Sequence, residues 1–245
     1  AERFIGDYTA LPGLNSLDAA RWGLGLWRIG EGLFKKFVVA DVLAGGLSLT
    51  PALAEQTTSP AALWGLLFGY GLRLYFDFGG YTDIAIGLGI LFGIRLPENF
   101  ARPYTRSNIT TFWQSWHITL SQWVRFYVFT PLSRALLRRE RRPSSTVIVL
   151  LSHLATMSVI GLWHGVTWGF AVWGLWHGVG LFAHKVYSDR TRAHYLRLRA
   201  HPRLGRAVEV AGVLVTFHFV ALGWVWFALP DIGASWSVFL RLLGG

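Results

Sequence analysis

Cysteine is absent from the sequence, which excludes disulfides, thiolate metal sites and a cysteine nucleophile. Charge is scarce as well: 15% of the residues are Asp, Glu, Lys or Arg, against about a quarter in a soluble globular domain. Several local signatures are missing. No Walker pattern follows a strand, so the glycines build no nucleotide loop. No G-x-S-x-G elbow is present, which removes an α/β-hydrolase nucleophile. No repeat of solenoid period appears. The apolar runs lack strict alternation and exceed the length of a barrel strand, so a β-barrel is excluded. The opening residues, "AERFIGDYTALPG", hold neither an initiator Met nor the charged and apolar regions of a signal peptide. Together with an end inside the amphipathic "FLRLLGG", this reads as a piece of a longer protein.

What is abundant points to a membrane. Hydrophobic residues make up 53% of the chain, with 13 Trp and a mean hydropathy of +0.40. Long apolar runs with many indoles suit a polytopic membrane protein, because indole rings favour the membrane–water interface. The net charge of +10 raises the possibility of nucleic acid, but the bases cluster in short stretches between apolar segments. That is the pattern of cytoplasmic loops facing anionic lipid. No nucleic-acid partner is expected.

Along the chain, Arg21 to Leu43 has helical period but carries Arg28, Glu31, Lys35 and Lys36, as in an interfacial or protein-packed helix. "TTSP" at 57–60 caps a helix from Ala61 to about Phe78. After Gly79 and Gly80 a second apolar stretch reaches Ile94. Residues 95–108 hold two prolines and read as a loop. Ser107 or Asn108 then caps a single aromatic, amphipathic helix through "ITTFWQSWHITLSQWVRFYVFTPL". Five arginines lie between Arg134 and Arg142, and seven Lys or Arg between Lys185 and Arg206. Between these basic loops run apolar spans at 146–163 and 166–184, and Ala207 to Leu229 forms a last one. With both basic loops in the cytoplasm, the two spans make a hairpin with its turn on the far side. The fold expected is all-α and membrane-embedded, a polytopic protein with several transmembrane helices and amphipathic ones beside them.

Two copies of Trp-His-Gly sit in this hairpin, in "GLWHGVTWGFAVWGLWHG" at 161–178. A buried imidazole is a packed core residue, a metal ligand or a catalytic base. Thirteen residues on one helix turn two side chains about 220° apart, and no carboxylate or third His is spaced to complete a metal site. Ionisable groups inside a membrane are expensive and usually face a protein interior or a wet cavity. His164, near the turn, is thus the candidate general base, and His177, deeper in the returning helix, more simply packs. His117, in "FWQSWHITLSQW", lies among polar neighbours and is either an interfacial residue or part of the site. Arg73 and Asp77 stand at i, i+4 and read as a structural ion pair. Asp83 caps a helix or lines a channel.

"YFDFGGYTDIAIGLGILFGIRLPENFARPYTRSNITTFWQSWHITLSQWVR", followed by "GLWHGVTWGFAVWGLWHG", closely resembles the membrane-bound O-acyltransferase superfamily. The upstream "GLWRIGEGLFKKFVVADVLA" resembles its bacterial alginate O-acetyltransferase branch, which is related to the D-alanyl transferases of teichoic acid. The likeness runs from about residue 22 to 185. Gly79, Phe126, Ser133 and Arg134 depart from the pattern and bear on the subfamily and its polymer.

The resemblance implies a single acyltransferase domain over residues 1–245, less its amino-terminal helices, with re-entrant or amphipathic helices around a tunnel, in the bacterial inner (cytoplasmic) membrane. It implies movement of an acyl group, acetyl above all, from a cytoplasmic thioester to an outside acceptor. His164 of "LWHG" is then the catalytic residue, with His117 of "FWxxWHIxL" the second. Acetyl-CoA or another acyl thioester is the donor, and no metal is expected. The partners implied are the bilayer, the donor or an acyl carrier, and a periplasmic acyltransferase or polysaccharide. Transfer of D-alanyl from a carrier protein, and a non-catalytic transporter or export subunit, stand as alternatives.

Overall fold

The computed structural model describes residues 19–245. The "AERFIGDYTALPG" stretch, read above as lacking a signal peptide, lies outside the described residues. Among the described residues every regular element is helical, and they fall into two compact units, residues 19–49 with 68–99, and residues 50–67 with 100–245.

In the first unit, α1 (Ala19–Phe34) runs on through a π-helical segment, Lys35–Ala40, and a last α turn, Asp41–Ala44. It packs on the latter part of α3 (Pro60–Leu91). The crossing is made by four glycines. A Cβ on Gly32 would stand 2.6 Å from the Gly80 carbonyl oxygen, and one on Gly87 would stand 2.7 Å from that of Gly25. Each pair is separated by seven residues, two turns of its own helix, so backbone meets backbone twice. This explains a departure from the sequence expectation. Gly79 and Gly80 do not end a helix; α3 continues through them because Gly80 is a contact surface rather than a breaker.

Charges close the same crossing. Asp83 is 5% exposed and receives Arg28 at 2.7 Å and Lys35 at 2.7 Å. Arg28 also reaches Glu98 at 2.6 Å, and Lys35 reaches Glu31 at 2.5 Å. A carboxylate this buried needs such partners, since an isolated one costs several kcal/mol. Asp77 pairs with Lys36 and not with Arg73 one turn earlier, correcting the pair expected from spacing. The cation comes from the neighbouring helix, which sequence spacing within α3 does not register.

In the second unit, α2 (Pro51–Gln56) and the start of α3 precede the loop. Ser59 caps α3, its Oγ accepting from the Ala62 amide at 3.4 Å. Two helices of this unit are long and apolar enough to cross a membrane, α7 (Ser145–His164) and α9 (Pro202–Ala228). Between them α8 (Trp168–Arg199) returns from the short turn at 165–167. Ser144 and Thr167 cap α7 and α8, accepting from Val147 and Phe170 amides.

The hairpin is thus present, but the basic residues from Lys185 to Arg199 belong to α8 rather than to a loop. Residues after Lys185 include Arg190, Arg192 and Arg197, good helix formers, and His201–Pro202 supplies the stop. α10 (Ile232–Leu242) follows α9, capped by Asp231. Arg241 on it donates to the Ala54 carbonyl at 3.0 Å.

The aromatic stretch after residue 108 is also not one helix. Asn108 caps α4 (Ile109–Trp113), accepting from the Thr111 amide at 2.9 Å. The chain then turns, α5 (Ile118–Val124) begins after His117, a π-helical segment spans Arg125–Phe129, and α6 (Thr130–Leu137) completes the run. Amphipathic period persists across these breaks, which is why periodicity alone reads them as continuous.

Candidate functional site

The break between α4 and α5 falls on His117, whose φ is 44° and ψ 57°. A non-glycine residue in the left-handed region costs about 1–3 kcal/mol unless its surroundings compel it. Here they do. The Ser115 hydroxyl donates to the Phe112 carbonyl at 2.9 Å, and the Ser115 carbonyl accepts from the Ala101 amide at 3.0 Å. The Ser121 hydroxyl donates to the Trp116 carbonyl at 3.1 Å, closing the turn from the other side. Phe112 and Trp116, both buried, stack 5.6 Å apart beneath it. Tyr104 of the preceding loop lies 5.6 Å from Trp116 and 5.4 Å from Phe217 on α9.

His164 is the last residue of α7, as the hairpin topology predicts. Its ring is half-buried and enclosed by aromatic rings. Phe227 lies at 4.9 Å, Trp173 at 5.5 Å and Phe170 at 6.0 Å. Among the described residues no hydrogen bond restrains the imidazole, so its orientation comes from packing alone and its nitrogens are left for another molecule. Trp163 beside it contacts His117, ring centroids 6.2 Å apart. Trp163 thus contacts both imidazoles, which are 47 positions apart in the chain.

The glycines of the motif have separate tasks. A Cβ on Gly165 would stand 2.7 Å from the Phe170 ring, which leans on His164. One on Gly174 would stand 2.6 Å from the Met157 carbonyl, and one on Gly178 3.1 Å from the Leu154 Cα. Gly169 faces the Trp226 carbonyl on α9 at 2.6 Å in the same sense. Close helix approach through small residues is how membrane helices gain packing where lipid offers no hydrophobic drive. The turn itself exposes Trp163, Val166 and Trp168, as suits residues at a membrane boundary.

His177 stands apart from this. It is fully buried, with its ring 5.0 Å from Trp173, the same indole that contacts His164. Its Nδ1 accepts from the Trp113 indole N–H at 3.4 Å. One residue escaped the sequence reading. His184 Nδ1 is 3.0 Å from the Thr110 hydroxyl. Its spacing of seven from His177, two turns on one helix face, is the signal that marks it.

A sequence profile of the membrane-bound O-acyltransferase family (MBOAT) matches residues 24–224, continuing past residue 185, where the resemblance ended. The chain belongs to this family. Over 218 residues it is 36% identical to the probable alginate O-acetylase AlgI of Azotobacter vinelandii, covering 89% of the chain and 40% of that protein. Over 221 residues it is 35% identical to the peptidoglycan O-acetyltransferase of Helicobacter pylori, covering 90% and 39%. The teichoic acid D-alanyltransferase of Streptococcus thermophilus is 31% identical over 244 residues, covering 93% and 56%. The chain spans about two fifths of the length of the first two relatives. The candidate histidines His117 and His164 fall inside the matched region. The protein is accordingly all-α and of an integral membrane family.

Proposed function

We propose that these residues carry the acyl-transfer site of a multi-pass O-acyltransferase of the bacterial inner membrane, acting as one domain. The observation that carries this reading is the approach of His117 to the Trp163–His164 end of α7, with His164 oriented by aromatic packing and its nitrogens unengaged.

The donor is an acyl thioester, acetyl-CoA foremost. His164 takes the proton from an acceptor hydroxyl as the oxygen bonds to the acyl carbon. The carbon–sulfur bond then breaks, and the thiolate leaves and is reprotonated. General-base assistance of this kind is worth about 10²- to 10⁴-fold in rate. His117, fixed in its left-handed turn, donates to or orients the thioester carbonyl. The acceptor is a hydroxyl of an exopolysaccharide or cell-wall polymer, or of a relay protein that passes the group on. The names of the alginate and peptidoglycan O-acetyltransferase relatives favour acetyl on polymer. The D-alanyltransferase relatives favour a second reading, in which a carrier protein delivers D-alanyl to the same histidines.

The test is His164→Ala in the full-length protein, with acyl incorporation into polymer followed from labelled acetyl-CoA and, separately, from D-alanyl-charged carrier. Loss of transfer with normal membrane insertion is expected. Wild-type transfer by the inserted variant overturns the mechanism, and the productive donor decides between the two readings.

A further inference from the structure

His117 touches the proposed chemistry, yet nothing in its own turn explains why α4, a helix of five residues, holds its place. An isolated helix this short has no stability of its own in solution. The answer lies on α8. Trp113, the last residue of α4, donates to His177 Nδ1, and Thr110, three residues earlier, meets His184 Nδ1. Residues at i and i+3 of the short helix thus engage i and i+7 of the long one, each on a single face.

The slot for His177 is built from a third element. A Cβ on Gly223 of α9 would stand 2.8 Å from His177 Nε2, so only glycine there admits the ring. An indole N–H is a donor only. His177 therefore accepts at Nδ1, and its proton resides on Nε2 against Gly223. Trp113 also packs edge-on against both His177, at 5.2 Å, and Trp173, at 5.8 Å.

We propose that His177 and His184 are positioning residues, a two-point clamp on α8 that fixes α4 and through it the left-handed His117 beside His164. This rests on the acyl-transfer reading of those two histidines. The clamp sets the height of α4 along α8. The turn 114–117 follows directly from Trp113, so a slip of α4 is passed to His117 with no flexible linker to absorb it.

The experiment measures kcat and KM for the thioester donor in the full-length protein, for His177→Leu, His177→Asn, His184→Leu, Trp113→Phe and Thr110→Val. An Asn side-chain oxygen supplies an acceptor close to the place of Nδ1. A displacement near 1 Å at a reacting group costs about 10²-fold, so each Leu variant lowers kcat by about 10- to 100-fold with donor KM little changed. His177→Asn recovers most of the loss. Thr110→Val, which removes only a hydroxyl, and Trp113→Phe, which keeps a buried aromatic ring, both leave His177 in place; they reproduce the fall and serve if a Leu variant does not insert.

In a protein already carrying His117→Ala, the same substitutions produce no further fall, because their effect passes through His117. Wild-type kcat in both Trp113→Phe and Thr110→Val overturns the clamp. So does a full additional loss on the His117→Ala background. His164→Ala run in parallel separates the two readings. Activity in that variant removes the function proposed above, whereas an inactive His164→Ala beside undamaged clamp variants removes only the clamp.

Discussion

Gly174→Ala is the sharpest probe of the α7–α8 crossing. The added methyl would stand 2.6 Å from the Met157 carbonyl oxygen, 3.1 Å from its carbon and 3.2 Å from the Ser158 Cα. All three are backbone atoms, so no side chain can swing aside. Ordinary contact requires the helices to separate by roughly 1 Å. Overpacking of this kind costs about 1–3 kcal/mol, while Gly to Ala in a helix interior gains about 0.8–1.0 kcal/mol. The control is Gly65→Ala on α3, where a Cβ meets nothing within 4 Å. Comparing the two variants cancels the propensity gain and leaves the crossing.

Gly65→Ala is expected to raise the apparent unfolding midpoint in detergent slightly, and Gly174→Ala to lower it below wild type. The latter also displaces the segment that ends at His164, so acyl transfer falls by one to two orders of magnitude. Equal midpoints for the two variants would refute the close crossing and the role given to Gly174.

Other substitutions test separate parts of the structure. His117→Asn keeps a residue tolerant of the left-handed region and should insert and melt like wild type, whereas His117→Val should lower the midpoint by about 1–3 kcal/mol equivalents; identical melting of the two refutes the strain assigned to φ 44°. Asp83→Asn leaves Arg28 and Lys35 facing a buried neutral group. It should destabilise by less than the about 3–5 kcal/mol of a wholly buried pair, since both cations keep second carboxylates, but by clearly more than Asp77→Asn. That aspartate is half-exposed and its pair is worth about 1 kcal/mol or less; chemical unfolding in detergent orders the two. Gly165→Ala pushes the Phe170 ring toward His164 and should lower kcat more than it lowers stability, as read by paired kinetic and melting measurements.

The apolar runs at 146–163 and 207–229 and the hairpin were legible in the sequence because each leaves a one-dimensional trace. A run of about one bilayer thickness, a basic flank or a motif can be read without knowing what lies opposite. What was not legible depends on partners distant in the chain. Gly80 looked like a helix end because its reason, the Gly32 backbone, lies 48 residues away. Asp77 was matched with Arg73 on its own helix, although Lys36 on another element reaches it. The left-handed His117 had no trace either, since the hydrogen bonds of Ser115 and Ser121 that compel it leave hydrophobic period unbroken. His184 was passed over because it only closes the apolar span at 166–184, and its partner Thr110 lies 74 residues away.

The length of α8 has a consequence for lipid. Its 32 residues make a rod of about 48 Å, longer than the about 30 Å hydrocarbon layer. The end beyond Lys185 carries Arg190, Arg192, Arg197 and Arg199, which favour headgroups over hydrocarbon, and His177 and His184 sit on the same rod. On the acyl-transfer reading proposed above, the depth of the chemistry is set relative to this basic end. If the clamp proposed above holds, a bilayer whose thickness tilts this rod carries His177, α4 and His117 with it, so acyl-chain length should alter acyl transfer through the position of His117.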